Sequence, residues 1–196
     1  MIRTMELADV DSVVRIHLAS FAGFFLSFMG PLFLKEFYRT TILDQSGIAL
    51  ISTQADGISG FAVGTTEPRG FYKRIILHDW YRLLMASFIP MLRESKTLFR
   101  LARRLLTTAR SNYAENETLL LSIAVHPSKQ GCGTGKQLIE CFSMEAKTRG
   151  MTSVSLTTDK LNNDLANQFY VRNGFTRTGS FTTSEGRQMN EYRKYV

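Results

Sequence analysis

Residues 119–140, LLLSIAVHPSKQGCGTGKQLIE, place an unbroken apolar run before a turn with glycine at 131, 133 and 135. Beyond the turn, Leu138, Ile139, Phe142 and Ala146 fall at helical spacing, and Lys147, Arg149 and Gly150 suit a helix C-terminus. A chain with this order runs a buried strand into a helix through a glycine turn, which points to an α/β (α+β) protein. Such a turn brings backbone amides close to a ligand, and the helix start adds partial positive charge, so the geometry suits phosphate or pyrophosphate. The bland alternative is a tight connection without a ligand, but three glycines at alternate positions exceed what a simple turn requires.

Spacing separates the phosphate binders. A Walker A loop ending at Gly135-Lys136 would need glycine where Gln130 stands and a hydroxyl where Gln137 stands. A dinucleotide fingerprint begun at Gly131 would need glycine at Lys136, and one begun at Gly133 would need it at Leu138. Both readings fail.

Elsewhere a short apolar start precedes a helix with Val10, Val13, Val14, His17, Leu18 and Phe21 on one face and Asp9 as its expected cap. Gly23, Gly30 and Pro31 interrupt the pattern, and a second helix resumes it with Leu34, Phe37, Tyr38 and Ile42. Two β-rich runs, 48–53 and 59–65, flank a turn at Asp56 and Gly57 and form a hairpin. Residues 71–106 alternate basic and apolar positions at helical spacing and separate the hairpin from the apolar strand. After the glycine-turn helix come a strand at "SVSLTT", a helix closed by Asn173 and Gly174, and a terminal strand pair.

The chain has 196 residues, which one domain accommodates, with a net charge of +7. Ten of its 24 lysines and arginines lie within 69–110, against two acidic residues, so the basic excess marks one segment. No nucleic-acid-binding module accompanies that charge, and nucleic acid is not an expected partner. Two cysteines, Cys132 and Cys141, are too few for a disulfide scaffold and are expected as free thiols. His17, His78 and His126 share no ligand spacing with each other or with the cysteines, so no metal is expected. Glu6, Asp9 and Asp11 stand where a secretory signal would need an apolar run, and a cytoplasmic location is expected.

What remains at the turn is Gln130-x-x-Gly133-x-Gly135, followed downstream by Asn163-x-x-Ala166-x-x-Phe169-Tyr170-x-x-x-Gly174-Phe175. In these two motifs, and in their order, the sequence resembles the GNAT superfamily of CoA-dependent N-acyltransferases. The first strand and helix also look like the family's, and only the 69–110 segment lies outside the resemblance. It implies a central, mixed, mostly antiparallel sheet of about seven strands flanked by helices, and the residue pattern adds a basic amphipathic helical insertion at 69–110 between the third and fourth strands. The whole chain, 1–196, is then expected as a single domain. Acetyl-CoA is the implied co-substrate. Carried residue by residue, the resemblance sets the backbone of Ile123, Ala124 and Val125 along the pantetheine arm. Gln130, Gly131, Cys132, Gly133, Thr134, Gly135 and Lys136 would lie around the pyrophosphate. Lys136 is equally open to being a solvated helix residue, and Asn163 to capping its helix, contacting CoA, or both.

Acyl transfer from a thioester to an amine needs a base for the amine, an oxyanion donor and a proton for the departing thiolate. The family's tyrosine near the CoA sulfur corresponds to Tyr170, and the oxyanion donor would be a backbone amide, that of Val125. Where some family branches carry a glutamate, this chain has Leu119. Glu117, two residues earlier and on the same face of an extended strand, is the candidate base; a solvated strand-end glutamate is the alternative. His17 or a relay of water are further candidates. The acceptor is expected to be a small-molecule amine over the loop between the first two helices, with Phe24, Phe25 and Phe28 lining it or belonging to the core. A weak likeness of that loop to members from polysaccharide loci suggests an amino sugar or nucleotide sugar. A non-catalytic acyl-CoA-binding or regulatory module is the rival reading. Three uses are open to the insertion: a lid, a basic membrane surface, or a contact in a homodimer.

Overall fold

The computed structural model describes residues 1–21, 25–71, 74, 113–183 and 186–196. Strand β1 (Ile2–Thr4) and a short 3-10 turn lead into helices α1 (Val10–Ser20), α2 (Phe25–Phe28) and α3 (Gly30–Leu43). The hairpin β2 (Gly47–Gln54) and β3 (Gly57–Thr65) follows, then β4 (Glu117–Val125), α4 (Thr134–Thr148), β5 (Ser153–Asp159), α5 (Asp164–Arg172), β6 (Thr176–Thr182) and β7 (Gln188–Tyr195).

The strands form one seven-stranded sheet in the order β1-β2-β3-β4-β5-β7-β6. Its ladders are antiparallel except that between β4 and β5. This is the mixed sheet with flanking helices that the resemblance implies. One apolar layer joins α1 and α3 to one face of the sheet through Val13, Leu34, Phe37, Ile51, Phe61 and Val63. The other joins α4 to the opposite face, where Leu138, Ile139, Phe142 and Ala146 are all buried, as their spacing requires. Close approach of α4 depends on Gly64. A Cβ there would sit 2.5 Å from the Phe142 ring and 2.3 Å from the Leu119 carbonyl oxygen.

Asp9 departs from its expected role. It makes no side-chain bond to the start of α1; its carboxylate pairs with Arg3 at 2.8 Å and accepts from the Glu6 amide at 2.8 Å. Asp9 holds the N-cap position of α1, but the preceding 3-10 turn gives it helical backbone and its carboxylate turns back to Arg3 and the Glu6 amide.

Most of the predicted insertion, and the helical expectation for 71–106, lies outside the described residues. Its two ends meet where Arg69 Nη2 donates to the Tyr113 carbonyl oxygen. Arg74 donates to Ser46 Oγ and to the Glu67 carbonyl oxygen. Phe24 and the side chains of Phe25 and Phe28 also lie outside the described residues, and with them the expected aromatic lining. Among the described residues no helix is long and apolar enough to cross a membrane.

Candidate active site

The site begins where two strands part. β4 and β5 pair as parallel neighbours only at Glu117 with Ser153, Thr118 with Val154 and Leu119 with Ser155. Beyond Leu119 β4 continues to Val125 paired, among the described residues, with β3 alone, so the edge of its outer half that faces β5 has no strand partner among them. A row of unpaired backbone groups beside a wedge-shaped gap will accept an extended, amide-bearing ligand as it would a strand. Within that half the register slips: Ser122 faces Val63 and Leu120 faces Gly64, leaving Leu121 as the extra residue of a bulge.

At the mouth of the gap stands the glycine turn. Gly131 and Gly133 hold φ of 84° and 78°, a left-handed backbone that glycine adopts without strain, and Gly133 is the N-cap of α4. A Cβ at either would meet nothing within 4 Å, so the turn leaves open space before the first amides of α4. Those amides precede the first intrahelical bond, from Gln137 N to the Gly133 carbonyl oxygen at 3.1 Å, and together with the helix dipole they favour an anion. The open turn and free strand edge therefore fit the pyrophosphate and pantetheine of an acyl-CoA.

The residues around the turn divide by role. Gln130 Nε2 donates to the Val125 carbonyl oxygen at 3.3 Å, folding the turn back onto β4. Thr134 is buried under the helix start and Cys132 is exposed. Gly135 serves packing: a Cβ there would lie 3.1 Å from the Phe169 ring, so the glycine lets α5 close against α4. Lys136 is largely exposed and 3.8 Å from Glu140, the position of a solvated helix residue.

On α5, the Tyr170 ring packs against Phe169, Phe175 and Tyr192, with centroids 5.4, 5.8 and 5.8 Å away. Burial raises its phenol above the ordinary tyrosine range, so at neutral pH it holds its proton. Asn163 occupies the N-cap position without a side-chain capping bond; its Nδ2 donates instead to Thr158 Oγ1 at 2.7 Å and to the Asp159 carbonyl oxygen. Asn167, one turn on, was not singled out by the sequence reading. Its Oδ1 accepts from Asn190 Nδ2 and from the Tyr192 hydroxyl, both at 2.8 Å, while its Nδ2 donates to the Asp159 and Asn163 carbonyl oxygens. Its signal was an asparagine four residues after Asn163, on the same face of α5.

Glu117 lies at the foot of the wedge, where β4 and β5 are still paired, with its side chain fully buried. It accepts from the Ala114 amide at 2.6 Å and from Arg193 Nη2 at 3.2 Å. A solvated strand end is thereby ruled out; the carboxylate is an ion-paired group beneath the site. His17 is also buried, and its Nδ1 lies 2.6 Å from the Tyr38 hydroxyl. Among the described residues no group of three or more histidine, cysteine, aspartate or glutamate side chains is arranged to hold a metal.

The family described as "Acetyltransferase (GNAT) domain" matches residues 99–177. The ribosomal-protein-S18-alanine N-acetyltransferase from Escherichia coli superposes with a TM-score of 0.62 at 15% identity, covering 100% of this chain and 93% of that one. Ard1 from Thermoplasma volcanium gives 0.64 at 19% identity, with 100% and 97% covered. The PaiA N-acetyltransferase from Thermoplasma acidophilum, solved in complex with coenzyme A, gives 0.62 at 13% identity, with 100% and 98% covered. At these identities the likeness is one of fold. Among curated protein sequences none matches significantly.

Proposed function

Because the chain has the GNAT fold and matches the family's acetyltransferase domain over residues 99–177, we propose that it is an N-acetyltransferase. It moves an acetyl group from acetyl-CoA to the primary amine of a small-molecule acceptor by direct attack on the thioester. The observation that carries this reading is the parting of β4 from β5 after Leu119, with the glycine turn at its mouth. In it, the free edge of Ile123, Ala124 and Val125 holds the pantetheine arm. Gln130, Gly131, Cys132, Gly133, Thr134, Gly135 and Lys136 surround the pyrophosphate, the last by its backbone. Asn163 fixes the start of α5 beside the gap.

When bound, acetyl-CoA supplies an activated acyl carbon. The chain does the rest. The Val125 amide offers an oxyanion donor, and Tyr170, protonated at neutral pH, gives a proton to the departing sulfur. Glu117 is proposed as the base; in its observed pairing with Arg193 it would take up a proton only through an intervening relay.

Thermal unfolding with CoA, acetyl-CoA, ATP and NAD side by side tests the donor site. Ligand at a hundredfold over its Kd adds about 2.7 kcal/mol, a rise of roughly 5 to 10 °C for a chain of this size. A shift with CoA and acetyl-CoA alone supports the reading. A cooperative unfolding that neither ligand moves would sink it.

A further inference from the structure

Helix α5 is held by little apolar packing. None of its nine residues is buried, and those that meet the apolar layer under α4 are the half-buried Phe169 and Tyr170. What ties it to the sheet is a polar side chain. Asn167 Nδ2 donates to the Asp159 carbonyl oxygen at the end of β5, at 2.9 Å, and to the Asn163 carbonyl oxygen at 2.7 Å. Its Oδ1 accepts from Asn190 Nδ2 and from the Tyr192 hydroxyl on β7, each at 2.8 Å. A carboxamide has two N–H donors and two lone pairs, so the hydrogen-bonding capacity of this one is filled. Its partner is oriented from the far side as well: Asn190 Oδ1 accepts from Ser180 Oγ at 3.1 Å, which leaves Nδ2 to face Asn167. Asn190 and Tyr192 are each 4% exposed, so the β7 side of the network is shielded from water.

The network converges on a residue that the proposed chemistry uses. Tyr170 stands three positions after Asn167, on the same face of α5. Its ring leans on that of Tyr192, with centroids 5.8 Å apart and planes at 38°, and Asn167 tethers the Tyr192 ring at its hydroxyl. Asn167 therefore holds both the backbone beneath Tyr170 and the ring beside it. Apolar contacts have no direction, so a helix fastened by them alone could slide or roll while keeping most of them; hydrogen bonds to two strands forbid that. Position 167 is an unspecified one in the Asn163 to Phe175 motif, so the family resemblance assigns it no role.

We propose that Asn167 is the positioning residue for Tyr170, setting where the phenol stands relative to the departing sulfur without itself touching the substrate. The proposal rests on the acid role given to Tyr170 above. In that step the carbon–sulfur bond breaks with its electron pair on sulfur, the Tyr170 proton passes to sulfur, and the phenolate is reprotonated from solvent. Transfer needs the phenol oxygen within hydrogen-bond reach of the sulfur, and a displacement of about 1 Å costs on the order of 100-fold in rate.

The contact between phenol and sulfur can be read without turnover. Protein carrying 13Cζ-labelled tyrosine, with the Tyr170 signal assigned by its loss in Tyr170→Phe, is titrated with CoA and with desulfo-CoA, which lacks the sulfur. In the wild type the Tyr170 signal is expected to move further with CoA than with desulfo-CoA. In Asn167→Ala that sulfur-dependent difference is expected to disappear, although both ligands still raise the thermal midpoint. Tyr192→Phe, which removes one hydroxyl and keeps the ring, is expected to reduce the difference, and it carries the test where the alanine variant does not fold. A difference of wild-type size in either folded variant overturns the role of Asn167. So does an Asn167→Ala protein that folds but gains no stability from CoA, since the asparagine would then serve the donor site as a whole. A wild type that CoA stabilises but whose Tyr170 signal does not distinguish the two ligands overturns the acid reading instead.

Discussion

Two residues carry opposite lessons about local cost. Gly133 has φ of 78° with open space on its Cβ side, so an alanine there is strained by its backbone and by nothing it touches. Gly133→Ala is expected to lower stability by about 1 to 2 kcal/mol in urea unfolding and to weaken CoA binding at least tenfold, because its methyl projects into the space before the α4 amides. His17 is strained by nothing and penalised by burial. Its folded value of about 4 lies below the ordinary 6.5, so on acidification the unfolded chain takes up the proton first. The stability of the neutral ring is intact above about pH 6.5 and drains as pH falls toward 4, a loss on the order of 3 kcal/mol that His17→Leu should abolish. Urea midpoints of both proteins at pH 7 and pH 5 check this; a wild type no more acid-sensitive than the variant would refute it.

Between elements, the ion pair of Glu117 on β4 and Arg193 on β7 joins strands that are not neighbours, across β5. Arg193 Nε is already buried with no hydrogen-bond partner among the described residues, so removing the carboxylate charge leaves a guanidinium poorly compensated. Glu117→Gln is expected to cost about 3 kcal/mol, read as a fall in urea midpoint. The same variant bears on the proposed base: a stability loss with kcat retained under native conditions assigns Glu117 to positioning, and a loss of kcat in a folded, CoA-binding protein assigns it to proton transfer. Helices α4 and α5 were legible as elements because their cues are local. The α4 face repeats within four residues, and Gly150 and Gly174, with φ of 80° and 84°, close the helices as their positions suggested. Asp9 stands at the N-cap of α1 without the expected capping bond, because the preceding 3-10 turn gives it helical backbone and its carboxylate is held by Arg3, neither of which residue preference encodes.

For the whole molecule the open wedge makes a prediction of its own. Amides of residues 121–125 that face β5 have no strand partner among the described residues, so they are expected to exchange quickly in the ligand-free protein and to gain protection with CoA. Amides of 117–119, paired with β5, should be protected throughout. Hydrogen exchange by NMR separates the two groups; equal protection along β4 without ligand would mean that the gap is closed in solution.

The sequence by itself determined the order of strands and helices, the glycine turn and the apolar faces, since each is written in periodicity or in residues a few positions apart. It also brought the apolar strand, the glycine turn and the start of the next helix together, because they are contiguous in the chain. The tertiary structure alone decided where β4 leaves β5, that Leu121 forms a bulge, that Glu117 finds Arg193 across 76 residues and that His17 meets Tyr38 inside the apolar layer. Those features depend on register and on contacts between distant segments, and both are fixed by the packing of the whole sheet against its helices.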